Sequence, residues 1–110
     1  MAIKRVTLSY ASGVVTVSPS SQSLGKDDWI SFVTVGASIF TVIINDANYF
    51  NTSRRVLMYE VYDGHSADTP TTRPNSTGVD IPIDYIVYAT DSDNTDGTTA
   101  PPRIIISPHA

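Results

Sequence analysis

Short runs in which apolar and polar residues alternate, cut by turn chemistry at intervals of roughly 8–12 residues, constrain this chain more than any other feature. Successive strand residues face opposite sides, so a side chain that is apolar at every second position marks a strand with one face turned inward. Val6, Leu8 and Tyr10 open the series, and Ser12-Gly13 marks a tight turn. Residues 14–17 resume the strand until Ser18-Pro19 stops it. Residues 20–28 read as a loop turning at Gly25, after which Ile30 and Phe32 alternate with Ser31 and Val33. Residues 36–38 make the next turn. Residues 39–44 are the most apolar run, too short for a typical helix and rich in β-branched side chains. They predict a central strand buried on both faces.

The second half continues the pattern with longer interruptions. Residues 45–53 are turn-rich, and Tyr49 and Phe50 among them are expected to cover one end of the core. Residues 54–62 read as a strand with Leu57, Tyr59 and Val61 on one face. Residues 63–82 form a long Thr/Pro/Asn/Gly segment containing Pro70, Pro74 and Pro82. A loop of that length is unusual inside a compact domain, and reads either as a crossover between sheets or as a surface with a task. Residues 83–90 and 103–107 are two further strands, joined by the acidic loop 91–102. No stretch shows a capped apolar face at helical spacing. The expectation is one all-β domain over residues 1–110, a sandwich or barrel of about seven strands.

Composition narrows the classes of function. Hydrophobic residues make up 41% of the chain, enough to exclude compositional disorder, whereas charged residues make up only 16%. Packing and sheet hydrogen bonds must therefore dominate over ion pairs. The acids are ten aspartates and the single glutamate Glu60, which suits turns better than helices. A net charge of −4 repels nucleic-acid phosphates and anionic membrane surfaces, so neither partner is expected. Without cysteine there is no disulfide, thiol catalysis or thiolate metal site. The first residues lack the apolar core of a signal peptide, and no run approaches 18 apolar residues. The expected location is the cytoplasm, or outside the cell by an unconventional route.

Two stretches carry a family resemblance. Val15-Thr16-Val17-Ser18-Pro19 followed by Leu24-Gly25-Lys26-Asp27-Asp28-Trp29-Ile30-Ser31-Phe32 resembles the early strand, Gly-Asp turn and next strand of the cupredoxin-like family. The C-terminal pair, from Tyr85-Ile86-Val87-Tyr88 to Pro102-Arg103-Ile104-Ile105-Ile106, is similar to that family's last hairpin. The resemblance implies a Greek-key β-sandwich. In copper-binding members the last loop supplies a cysteine, a histidine and usually a methionine, and another histidine would fall near residues 38–40. Here residues 89–102 contain none of the three, and Ser38, Ile39 and Phe40 occupy the other position. A type 1 copper site needs two histidines and a cysteine. The resemblance therefore implies a copper-free member, with no cofactor.

Few residues suggest chemistry. Asp91, Asp93 and Asp96 place three carboxylates within six positions, a candidate calcium site. The match to an EF-hand loop is imperfect, since Thr95 stands at position 5, the glycine comes one residue late and Pro102 stands at position 12. The alternative is a solvated hairpin loop that uses Asp and Gly for turn geometry. His65 and His109 have no evident set of convergent ligands. There is no nucleophile elbow, phosphate loop or His-Glu-x-x-His motif, so an enzyme is not expected; a hydrolase would need aspartates and a histidine gathered by the fold. Asn51-Thr52-Ser53 and Asn75-Ser76-Thr77 match the glycosylation pattern, and Arg54-Arg55 reads as a strand-edge charge that discourages sheet addition.

Apolar residues out of phase with the inward set form the remaining signal. Trp29, Val56 and Met58, with Val33 and Ile105, would face away from the core and leave a second sheet face adhesive. Two functions follow as expectations. One is a non-enzymatic structural module that self-associates into homo-oligomers through these residues. The alternative is a binding module for carbohydrate or another small ligand, calcium-assisted through Asp91, Asp93 and Asp96.

Overall fold

A computed structural model describes residues 1–36, 38–91, 94–97 and 101–108, with backbone pairing alone for 90, 91 and 94–97. It is all-β, with β1 (Ile3–Ala11), β2 (Val14–Ser18), β3 (Ser21–Leu24), β4 (Trp29–Val35), β5 (Ile39–Ile44) and β6 (Leu57–Val61). These are followed by β7 (Ala67–Asp68), β8 (Ile81–Asp84), β9 (Ile86–Asp91), β10 (Asn94–Gly97) and β11 (Arg103–Ile106). They form three sheets and no helix among the described residues. Among the described residues, then, no helix is long and apolar enough to cross a membrane.

Local chemistry explains the first hairpin. Ser12 and Gly13 both have positive φ, 53° and 77°, as a two-residue turn between right-twisted strands requires. The turn sets Ala11 opposite Val14 and Leu8 opposite Val17. Sheet 1 runs β2-β1-β4-β7, with β4 parallel to β1 and the other pairs antiparallel. Sheet 2 runs β10-β9-β5-β6 and is antiparallel throughout. β2 lies beside β9 and β10, while β4 and β7 lie beside β6, so the two four-stranded sheets face each other. Sheet 3, β3-β11-β8, collects strands that continue out of the other two.

The core fills the space between the inward faces. Val6, Leu8, Ile30 and Phe32 come from sheet 1, and Phe40, Val42, Ile44, Val61 and Val87 from sheet 2; all are fully buried. Phe32 meets Tyr59 at 6.3 Å and Tyr85 edge-on at 5.8 Å, so one ring bridges both sheets and the start of β9. Phe50 is fully buried at one end, with Tyr49 packed against the same cluster. That places the expected pair at the core's edge.

Several boundaries differ from the sequence expectation, each for an identifiable reason. More than seven strands are present. The 20–28 loop contains β3, whose polar Ser21-Gln22-Ser23 gave no alternation but pairs in parallel with β11. The 54–62 strand is confined to Leu57–Val61, because the Arg55 carbonyl accepts a bond from the Ala47 amide instead of continuing the ladder. The 83–90 strand is two strands in two sheets, β8 pairing with β11 and β9 with β5. Residues 94–97 of the acidic loop form β10 along β9. β5 is central, yet only Phe40, Val42 and Ile44 are buried, and its other face is partly exposed.

The 63–82 segment is a crossover. It leaves β6 in sheet 2, adds β7 to the edge of β4 in sheet 1, and reaches β8 in sheet 3. Polar side chains fasten it. The Thr69 hydroxyl accepts from the Ile30 amide at 3.0 Å, and the Thr72 amide and hydroxyl both donate to the Asp28 carbonyl at 2.8 Å. The Asn75 amide donates to the Val79 and Ile106 carbonyls at 2.8 and 3.0 Å, while its oxygen accepts from Thr77. Asp28 clamps the opposite side, accepting from the Ala2 amide at 2.8 Å and the Gly25 amide at 2.9 Å.

Candidate functional site

The outward face of sheet 2 departs from an ordinary solvated sheet. Period-2 alternation sends Phe40, Val42 and Ile44 of β5 inward, so Ile39, Thr41 and Ile43 face out. The same rule places Met58 and Glu60 of β6 and Ile86 and Tyr88 of β9 on that face. Register then assembles them in rows. Met58, Ile43 and Ile86 lie side by side across three strands, and the next row holds Glu60, Thr41 and Tyr88. Met58 is 62% exposed, with Val56 at 41%, Ile39 at 42% and Tyr62 at 41% around it. Glu60 is the only charged residue in those two rows.

The residues expected to interact are thus divided. Val56 and Met58 come together beside β5. Trp29 and Val33 lie on the outward side of sheet 1, where Trp29 is half-buried opposite Ile3. Ile105 is half-buried in sheet 3, between Ser23 and Pro82. Sequence reasoning missed Ile43 and Ile86 as members of the face, whereas Tyr88 and Tyr62 were out of phase with their inward neighbours. A strand assumed to be buried on both sides leaves no residues for the surface; the available signal was the alternation of Ile39, Thr41 and Ile43 with the inward set.

Other candidates gather less. Asp93 and the side chains of Asp91 and Asp96 lie outside the described residues, as does His109. Among the described residues no three His, Asp or Glu side chains come together as a metal-binding group. His65 packs on Tyr62 with ring centroids 4.2 Å apart. It lines a shallow depression of about 260 Å³ with Val33, Thr34, Gly64 and Ser66, and is the one titratable group there. Of the two glycosylation matches, Asn75 is 3% exposed and its amide nitrogen is already engaged twice, which removes it as an acceptor. Asn51 is exposed and donates to the Thr71 hydroxyl at 2.8 Å.

Two tyrosines have perturbed hydroxyls. Burial raises Tyr85 well above the usual phenol range, and among the described residues its oxygen has no hydrogen-bond partner. Burial also raises Tyr59, with Arg54 opposing the shift and Asp68 adding to it. Both point into the core rather than into an open cleft, so the perturbation reflects packing. No protein-family model and no curated protein matches the chain.

Proposed function

We propose that the chain is a non-enzymatic structural module that associates with copies of itself through sheet 2. We further propose that its stacked sheets are a copper-free relative of the cupredoxin-like Greek key. The observation that carries the first reading is the row Met58–Ile43–Ile86, flanked by Val56, on the outward side of a four-stranded sheet. Contiguous apolar surface of this kind favours association, because burying it releases about 25 cal/mol per Å². The occupant is a second copy for electrostatic reasons. A chain of net charge −4 repels itself little where charge is sparse, and those two rows hold one carboxylate.

Sedimentation equilibrium over a concentration series tests this. Dimers or larger species should appear as concentration rises, and Met58→Asp should weaken association at least tenfold, since it places a carboxylate in the middle of the contact. A protein that stays monomeric up to about 1 mM would overturn the reading.

A further inference from the structure

Building on that self-association, we propose that two copies join edge to edge, antiparallel along β6, with the twofold axis at Tyr59. β6 ends sheet 2, and among the described residues no strand pairs with it on the side away from β5. Such an edge presents unpaired backbone groups, and proteins usually blunt edges with proline, lysine or brevity. Of the five other edges among the described residues, β8 contains Pro82, β2 is directly followed by Pro19, β7 has two residues, and β3 and β10 have four each. β6 has five residues and contains neither proline nor lysine.

Charge selects the partner and its direction. Arg54 and Arg55 precede the strand, whereas Glu60 lies near its end and Asp63 just beyond; all four are exposed. None of the four makes an ion pair among the described residues, where the pairs are Met1–Asp28 and Arg103–Asp84. A segment that is basic at one end and acidic at the other complements itself only when reversed. Parallel pairing in register would set arginines against arginines. Antiparallel pairing with full overlap of the five residues puts Leu57 opposite Val61 of the second copy, and Met58 opposite Glu60. Carried outward, the same register brings Val56 to Tyr62 and Arg55 to Asp63, each twice by symmetry. Sheet 2 then continues through both copies, four strands from each, and each copy's Met58–Ile43–Ile86 row meets the other copy's Glu60–Thr41–Tyr88 row at the junction.

The absence of native cysteine makes cross-linking a clean test. In the double variant Val56→Cys/Tyr62→Cys, mild oxidation should yield a covalent dimer, because directly opposed positions have Cβ atoms about 5 Å apart. Ile86→Cys should stay uncross-linked, since strand spacing separates the two β9 strands by roughly 24 Å in the edge-paired dimer. Arg55→Asp and Asp63→Arg should each weaken association about tenfold, and the two together should restore it. Both residues are exposed, so these variants keep the fold even if the cysteine pair does not. Association that persists, ignores the charge reversals and cross-links through Ile86→Cys would overturn edge pairing while leaving self-association standing. Absence of any association in the unaltered protein would overturn both.

Discussion

The 63–82 crossover and β6, the strand from which it departs, are neighbours in sequence and opposite in construction. The crossover is polar, yet Thr69, Thr72 and Asn75 are buried and engaged with backbone groups of β4, Asp28, β11 and the crossover itself. β6 is apolar apart from Glu60, yet it holds Met58 out in solvent, with Val56 exposed just before it. In the first region hydrogen bonds replace a missing apolar core, and every polar group that goes inside finds a partner. In the second, apolar side chains exceed what the inward face can accept. A buried polar residue with its bonds satisfied therefore reports structure, whereas the apolar residues left outside form the surface proposed above for association.

Variants can break or sharpen that contrast. Asn75→Ala has the largest expected effect, a loss of about 3 kcal/mol by urea denaturation, because it removes two buried donations, to the Val79 and Ile106 carbonyls, and leaves Val79 only the Thr77 hydroxyl. Association of the folded fraction should be unchanged; a change there would mean the two regions are coupled. Thr72→Val should cost less, about 1–2 kcal/mol, since the Thr72 amide still donates to the Asp28 carbonyl after the hydroxyl is gone.

Tyr85→Phe should be neutral or stabilising by up to about 1 kcal/mol, because it removes a buried hydroxyl without a partner. It also carries a pH signature. A phenol whose folded pKa is raised favours the protonated form in the fold, so its contribution is complete below the unfolded value of about 10 and declines as pH rises beyond it. The melting temperature of the unaltered protein should therefore fall above about pH 10, and Tyr85→Phe should flatten that fall. A steeper alkaline decline in the variant would contradict the assignment. Met58→Ser should have the smallest effect on monomer stability, within about 0.5 kcal/mol, while still weakening association. If it unfolds the monomer instead, Met58 belongs to the core and the contrast fails.

Much of the architecture was legible in the residues, because alternation records which side chains are buried. Val6 and Leu8, Ile30 and Phe32, and Leu57 and Val61 are all inward as their spacing requires. Alternation does not record which strand lies alongside. Ile83, Tyr85, Val87 and Ala89 are buried in unbroken period-2 phase, so residues 83–90 read as one strand, although the pairing changes from β11 to β5 across Tyr85. β3 was invisible for the converse reason: Ser21 to Ser23 are polar on both faces, and only backbone pairing with β11 makes them a strand. The candidate face was half legible. Val56 and Met58 were out of phase with their neighbours, but joining them to Ile43 and Ile86 depends on register between strands distant in sequence. Trp29 obeyed the same phase rule and was carried to another sheet.

The change of partner at Tyr85 has a mechanical consequence. The Tyr85 amide donates to the Pro102 carbonyl at 3.0 Å, pinning the ribbon where it passes from one layer to the next. One continuous length of backbone thus acts as a shared rafter for sheets 2 and 3. Peeling β11 away frees β8, which pulls on β9 and on the seam with β5. Neither layer can melt by itself, and heating should give a single calorimetric transition in which amide exchange at Ile104 and Val42 slows to the same global limit.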